Sequence, residues 1–189
     1  QLLSLANVER SLYLEDRDRY DRTDNPKLRL TLQSQLQQRA QKALDLYHEV
    51  STTGEDSRSK LFAQINRLGM LVLSKQWLEA HNSQLSFKQI VQTELDQSLT
   101  QLESASFSKI PPEQSIYAQI KIAESLRLLT QYERAMKYAR SALDLAQGLQ
   151  NPRSLSYAQG ETAKLLLDRG QPERALRTFQ QATALAQSS

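Results

Sequence analysis

Cysteine is absent from the 189 residues, which removes disulfides, thiolate metal ligands and thiol nucleophiles at once and fits a reducing, cytoplasmic setting. Glycine and proline are scarce, five of each, too few for the many tight turns of a sandwich or barrel. Long apolar runs are missing too, and none approaches the roughly 20 residues of a membrane span. The N-terminus carries no signal-like pattern. The chain opens on Gln1 with Leu2 and Leu3 already in an apolar pattern, which leads us to expect a segment of a longer protein. An excess of one charge is lacking as well: 24 Lys and Arg stand against 21 Asp and Glu, a net of +3. The isoelectric point of about 9.2 looks basic, yet the two signs interleave and no basic run marks a nucleic-acid footprint.

Catalytic inventory is equally thin. Gly54, Gly69, Gly148, Gly160 and Gly170 lie too far apart for a phosphate-cradling loop. His48 and His81 have no partner at metal-ligand spacing and read as structural or solvated. Asp16 and Asp18, beside Arg17 and Arg19, read as a solvated charge lattice. Glu15–Arg22 therefore reads as a loop or the frayed end of a helix. No catalytic residue, metal or cofactor is expected.

What is present is Leu, Ala, Gln, Glu, Lys and Arg at helical spacing, a composition that favours helix because straight side chains lose little rotamer freedom there. Displacing the sequence by 40 residues matches 13 of the 31 positions from 117 to 147, where ordinary composition would give roughly 2. Tyr117-Ala118-Gln119 falls on Tyr157-Ala158-Gln159, Glu133-Arg134-Ala135 on Glu173-Arg174-Ala175, and Leu145-Ala146-Gln147 on Leu185-Ala186-Gln187. A displacement of 55 extends the match upstream, with Phe62-Ala63-Gln64-Ile65 on Tyr117-Ala118-Gln119-Ile120 and Gln76-Trp77 on Gln131-Tyr132. The 15 surplus residues are then expected after Ala80, as a second helix about four turns longer than its counterparts. The fold is thus expected to be all-α, an α-α superhelix of antiparallel helix pairs in one domain. Its units cover about 1–52, 58–105, 112–150 and 153–189. Helices are expected near Leu2–Leu14, Lys27–Val50, Glu113–Leu129 and Glu133–Leu149, with links at Ser51–Ser57, Ser106–Pro112 and Gly148–Pro152.

Gln131-Tyr132-Glu133-Arg134-Ala135 with Ala142, and Gly170-Gln171-Pro172-Glu173-Arg174-Ala175 with Phe179 and Ala182, resemble the turn and second helix of tetratricopeptide repeats. Residues 59–189 carry the resemblance, at a 40-residue period instead of the usual 34. The family's Leu-Gly pair is replaced by Ile122-Ala123 and Thr162-Ala163, and Leu68-Gly69 is one residue out of register. More narrowly, the run from Leu61 to Glu79 with its Ala-Gln-Ile-Asn and Trp77, then Ile116-Tyr117-Ala118-Gln119-Ile120, then Arg153-Ser154 with Ser156-Tyr157-Ala158, resembles the repeat region of cyanobacterial CHAT-domain proteins. That resemblance implies a regulatory segment preceding a caspase-like peptidase domain. The Cys that such a peptidase requires would lie outside this chain.

The resemblance implies a non-catalytic scaffold for protein interaction. Phe62, Tyr117 and Tyr157 recur at equivalent sites near the start of successive first helices. Such a row either lines a concave ligand groove or fills the gaps between repeats. An aromatic at helical spacing beside Ala is the pattern of core, so packing is the expectation. Equivalent positions that do not repeat are better recognition candidates: Ile65, Gly69 and Val72; Ile120, Glu124 and Arg127; Gly160, Lys164 and Leu167. The candidate groove is therefore Phe62, Ile65, Tyr117, Ile120, Glu124, Arg127, Tyr157 and Lys164, with a peptide or protein as partner. Asn66, Lys121 and Lys164 do not reproduce the clamp by which some tetratricopeptide domains hold a C-terminal carboxylate. Nucleic acid is the alternative partner, disfavoured by the interleaved acids and the 40-residue period. No membrane partner is expected, while exposed end repeats would promote self-association.

Overall fold

Helix signals in the sequence account for most element boundaries in the computed structural model, which describes residues 1–81 and 85–187. Eight α-helices are found among them: α1 (Leu2–Arg22), α2 (Pro26–Thr53), α3 (Ser57–Ala80), α4 (Leu85–Glu103), α5 (Pro112–Leu128), α6 (Tyr132–Gly148), α7 (Pro152–Asp168) and α8 (Pro172–Gln187). A 3-10 turn at Phe107–Lys109 precedes α5. No described residue is in a strand, and the fold is an all-α helical repeat. No helix among the described residues is long and apolar enough to cross a membrane. The chain forms two compact units, 1–105 and 106–189.

Prolines open four helices. Pro26, Pro112, Pro152 and Pro172 each stand at the first helical position, where a missing N–H costs nothing and a fixed φ suits the helix. Asn25 Oδ1 accepts from the amides of Lys27 and Leu28 at 3.0 and 3.3 Å. Asn151 Oδ1 accepts from Ser154 N at 3.0 Å and Asp56 Oδ1 from Ser59 N at 2.7 Å, each satisfying donors left over by the first helical turn.

In the second unit the four helices begin at residues 112, 132, 152 and 172. One helix and one turn therefore occupy 20 residues, and the 40-residue period is two such cycles. The turns share one construction. Gln131 N bonds to Leu126 O and Thr130 N to Arg127 O, both at 2.9 Å. Asn151 repeats this on Ala146 at 3.3 Å and Gln150 on Gln147 at 3.0 Å. Gln171 and Gly170 repeat it on Leu166 and Leu167, both at 2.9 Å. This is the Schellman closure, which requires a left-handed residue after the helix. That residue is Thr130 (φ 59°), Gln150 (φ 51°) or Gly170 (φ 72°). Only the last has no steric penalty there. The arginines repeated at the second-helix starts have a shared role, since Arg134 and Arg174 each donate to the Gln three residues earlier.

Small residues set the helix crossings. Ala118, Ala123, Ala135, Ala139, Ala142, Ala146, Ala158 and Ala163 are fully buried, so α5, α6 and α7 approach closely. Ile116, Ala142, Ala146 and Ala158 form one cluster at this crossing.

The first unit departs from the expected layout in three places. α1 runs on through Arg22, so Glu15–Arg22 is neither loop nor frayed end. Asp16 is not part of a solvated lattice: it is 4% exposed, Glu9 is 6% exposed, and Arg39 of α2 reaches both, at 2.6 Å to Asp16 Oδ2 and 3.4 Å to Glu9 Oε2. Lys42 adds a contact of 2.5 Å to Glu9. Hydrogen bonds to these carboxylates, Asp16 foremost, raise the pKa of Arg39 further. α2 likewise continues to Thr53, three residues into the expected link.

The third departure concerns the 15 surplus residues. Gln76 and Trp77 lie inside α3, not at a turn, and α3 ends at Ala80 with His81 as its cap. Seven of the surplus residues lengthen α3 relative to α5, two lengthen α4 relative to α6, five fall in the connection that holds the 3-10 turn, and the last falls among residues 81–84. The expected unbroken helix past Ala80 crosses residues 82–84, outside the described residues. α3 and α4 are joined by Arg67, whose guanidinium donates to Glu94 and Ser98, both at 2.9 Å.

Two outcomes follow. Arg39→Leu removes the shortest ion pair of Asp16, which keeps only the largely exposed Arg19 at 3.4 Å, and leaves Glu9 to Lys42 alone; urea unfolding should register a loss of about 1.5–3 kcal/mol. An unchanged midpoint would mean that these carboxylates are solvated. Thr130→Gly relieves the left-handed β-branched residue and should raise stability by about 0.5–1 kcal/mol; a loss in the same experiment would contradict the turn geometry.

Candidate functional site

α5 and α7 begin one period apart and pack side by side, with α8 against α7. Positions separated by 3, 4, 7 and 8 residues share a helix face. On α5 such a face carries Glu113, Tyr117, Ile120, Lys121 and Glu124. On α7 the equivalent positions are Arg153, Tyr157, Gly160, Glu161 and Lys164. These two faces, with Phe179, Ala182 and Thr183 of α8, line an open cleft of about 710 Å³ within the second unit.

The structure brings five of the expected site residues together here: Tyr117, Ile120, Glu124, Tyr157 and Lys164. The expectation that the rings fill gaps between repeats is overturned for both tyrosines, because Tyr117 is 53% exposed and Tyr157 61%. The physical reason lies in the neighbouring alanines. Ala118 and Ala158 are fully buried and occupy the contact, which turns the adjacent residue outward by about 100°. Lys121 Nζ lies 5.8 Å from the Tyr117 ring centre, within cation–π range.

Charge along the cleft is ordered in a way that identity matching hides. From α5 to α7 the signs invert at three equivalent positions: Glu113 becomes Arg153, Lys121 becomes Glu161, and Glu124 becomes Lys164. The lining is therefore close to neutral in sum. Lys121 Nζ meets Glu124 Oε2 at 2.8 Å, and Lys164 Nζ stands 3.5 Å from Glu161 Oε2. Burial alone would raise the Glu124 carboxyl. The hydrogen bond from Lys121 and the charges of Lys121, Lys164 and Arg127 outweigh it and hold the pKa below the ordinary range.

Arg127 does not line the cleft. Its Nε donates to Glu161 Oε1 at 2.7 Å and its Nη1 to Asp168 Oδ2 at 2.9 Å, so it clamps α5 to α7 from beneath. Burial would lower its pKa, but the bonds to Asp168 and Glu161 raise it. Glu161, 3% exposed, was missed by sequence reasoning, as was the contribution of α8. The inverted signs at 40-residue spacing were the available signal for the first. Ser156 Oγ donating to Ala182 O at 2.7 Å fixes α8 against this face.

Phe62 and Ile65 belong to the first unit. Phe62 is half-buried and Ile65 only 3% exposed, so Ile65 is a packing residue and not a groove residue. Val72 is buried in the same way. Leu167 is 51% exposed but lies off the cleft. His81 is structural: its ring stacks on Trp77 at 4.8 Å and meets Tyr20 edge-on at 5.0 Å. His48 is exposed.

A second cleft of the same unit, about 410 Å³ between α6, α7 and α8, is lined by Arg140, Arg169, Arg174 and Arg177 with no acidic residue in its wall. Arg169 is held by Glu133 at 2.7 Å.

The depressed pKa of Glu124 fixes the sign of a pH dependence. Its contribution to stability is present above the ordinary Glu value of about 4.3 and is lost as pH falls below it. Thermal melts between pH 6 and 3 should show a declining acid limb that Glu124→Gln makes shallower; an identical limb in the variant would show that Glu124 does not take part.

Compared with family models, with curated proteins and with solved structures, the chain finds no match.

Proposed function

We propose that the chain is a non-catalytic scaffold whose second unit docks an extended peptide in the cleft between α5, α7 and α8. One observation carries the reading: two tyrosines, one repeat apart, both stand more than half exposed in the same cleft. Large rings with two rotatable bonds give contact area at little entropic cost, which is why Tyr is common among binding hot spots. The near-neutral lining favours a peptide with an apolar or aromatic anchor over a polyanion. Gly160 supports the same reading. A Cβ built there meets nothing within 4 Å, so space remains where α5 carries Ile120.

Membership of the tetratricopeptide class is part of this proposal, resting on Gln131–Ala135 and Gly170–Ala175. So is the narrower idea of a regulatory segment in a larger protein with a caspase-like CHAT domain, which rests on the resemblance alone.

The test is selection of random peptides by display on the full chain, followed by titration of the winners. Tyr157→Ala should lower affinity about tenfold. Gly160→Ile should weaken binding by filling the cleft while leaving the fold as stable or more so, since Gly is a poor helix former. Selected peptides indifferent to both changes would defeat the proposal. The four arginines of the second cleft favour one other reading, nucleic-acid binding. Retention of a single-stranded oligonucleotide, falling steeply with salt and lost in Arg174→Gln with Arg177→Gln, would establish that reading instead.

A further inference from the structure

The first unit contains a separate cavity of about 240 Å³ between α1, α2 and α3. Three of its wall residues end in buried polar atoms that have no hydrogen-bond partner among the described residues: Tyr13 Oη, Ser74 Oγ and Trp77 Nε1. The residues themselves are deeply buried, at 1%, 2% and 7% exposure. Ser74 stands next to the Tyr13 phenol, without the two hydroxyls reaching good hydrogen-bond geometry. Buried polar groups are nearly always partnered, and an exception calls for an explanation. Three exceptions converging on one cavity call for a shared one.

Chemistry narrows the occupant. The indole N–H can only donate, and each hydroxyl carries a proton to donate. Burial pushes the Tyr13 phenol up to about 12, so it stays protonated at neutral pH. The set is thus rich in donors and requires an acceptor. No Asp, Glu, Lys or Arg lines the cavity, so an ion would lose its hydration without a counter-charge. Leu36, Ala40 and Leu78 supply an apolar wall. The volume lies below the roughly 300–1,000 Å³ of drug-sized sites. Gln33 and Gln37 of α2 stand at the solvent side of the wall and leave a way in.

We infer that this cavity binds a small neutral molecule that pairs one hydrogen-bond-accepting carbonyl with an apolar body, the acceptor meeting Tyr13, Ser74 and Trp77. This site is independent of the peptide cleft of the second unit and stands or falls without it.

Trp77 is the sole tryptophan of the chain, so its fluorescence reports occupancy directly. The probe is benzamide, with benzoate as its charged counterpart and toluene as a ring without an acceptor, titrated into the full chain. Benzamide should change Trp77 emission saturably, with benzoate and toluene at least about tenfold weaker. Tyr13→Phe and Ser74→Ala should each weaken benzamide about threefold to tenfold. Both should leave the melting temperature unchanged or higher, because each removes an unpartnered buried hydroxyl. Absence of a saturable benzamide response would overturn the inference and leave the cavity to water. So would equal binding of benzoate or toluene, or a lowered melting temperature in Ser74→Ala, which would make the hydroxyls a structural pair.

Discussion

Everything in the second unit depends on a backbone closure that recurs every 20 residues. A helix of nearly fixed length, stopped by a left-handed residue whose successor bonds back across six residues, is followed by the next helix after the same three-residue connection each time. Because α5 and α7 are then copies in space as well as in sequence, buried alanines meet at the crossings and the residue beside each is turned outward. The exposure of Tyr117 and Tyr157 is thus a consequence of turn geometry acting through Ala118 and Ala158. No side-chain contact at the tyrosines is needed to explain it.

Buried charge is the second organising element, and it works alike in both units. Arg39 gathers Glu9 and Asp16 between α1 and α2; Arg67 takes Glu94 between α3 and α4; Arg127 takes Glu161 and Asp168 between α5 and α7. Each is a guanidinium, whose planar fork meets two acceptors at once where an ammonium would serve as a point charge. Such pairs contribute less to net stability than their distances suggest, since desolvation offsets much of the attraction. What they fix is register: a helix slipped by one residue would leave a buried carboxylate unpaired.

Features written locally were legible in the sequence. Pro112 and Pro152 bounded the expected links, and Gly170 and Pro172 bracket a turn, because each acts on its own backbone. Thr130 and Gln150 perform the same task as Gly170 but carry no such mark, so only the repeat reveals them. Asp16 and Glu161 were misread or missed because their partners lie 23 and 34 residues away, and a charge in sequence does not say which distant cation will cover it. Trp77 misled by likeness. Gln76-Trp77 mimics Gln131-Tyr132, but no breaker follows it before His81, and helix propensity carried α3 on for three more residues to Ala80.

The sign inversion between α5 and α7 reaches beyond the cleft it neutralises. Duplicating the 40-residue unit unchanged would set Glu161 beside another Glu and Lys164 beside another Lys, so a plain copy would repel its own template. Backbone and charge therefore keep different clocks: the geometry repeats every 40 residues, while the electrostatics would repeat only every 80. An array built on this plan can grow by alternating two kinds of helix pair, and the order of its repeats is written in their charges.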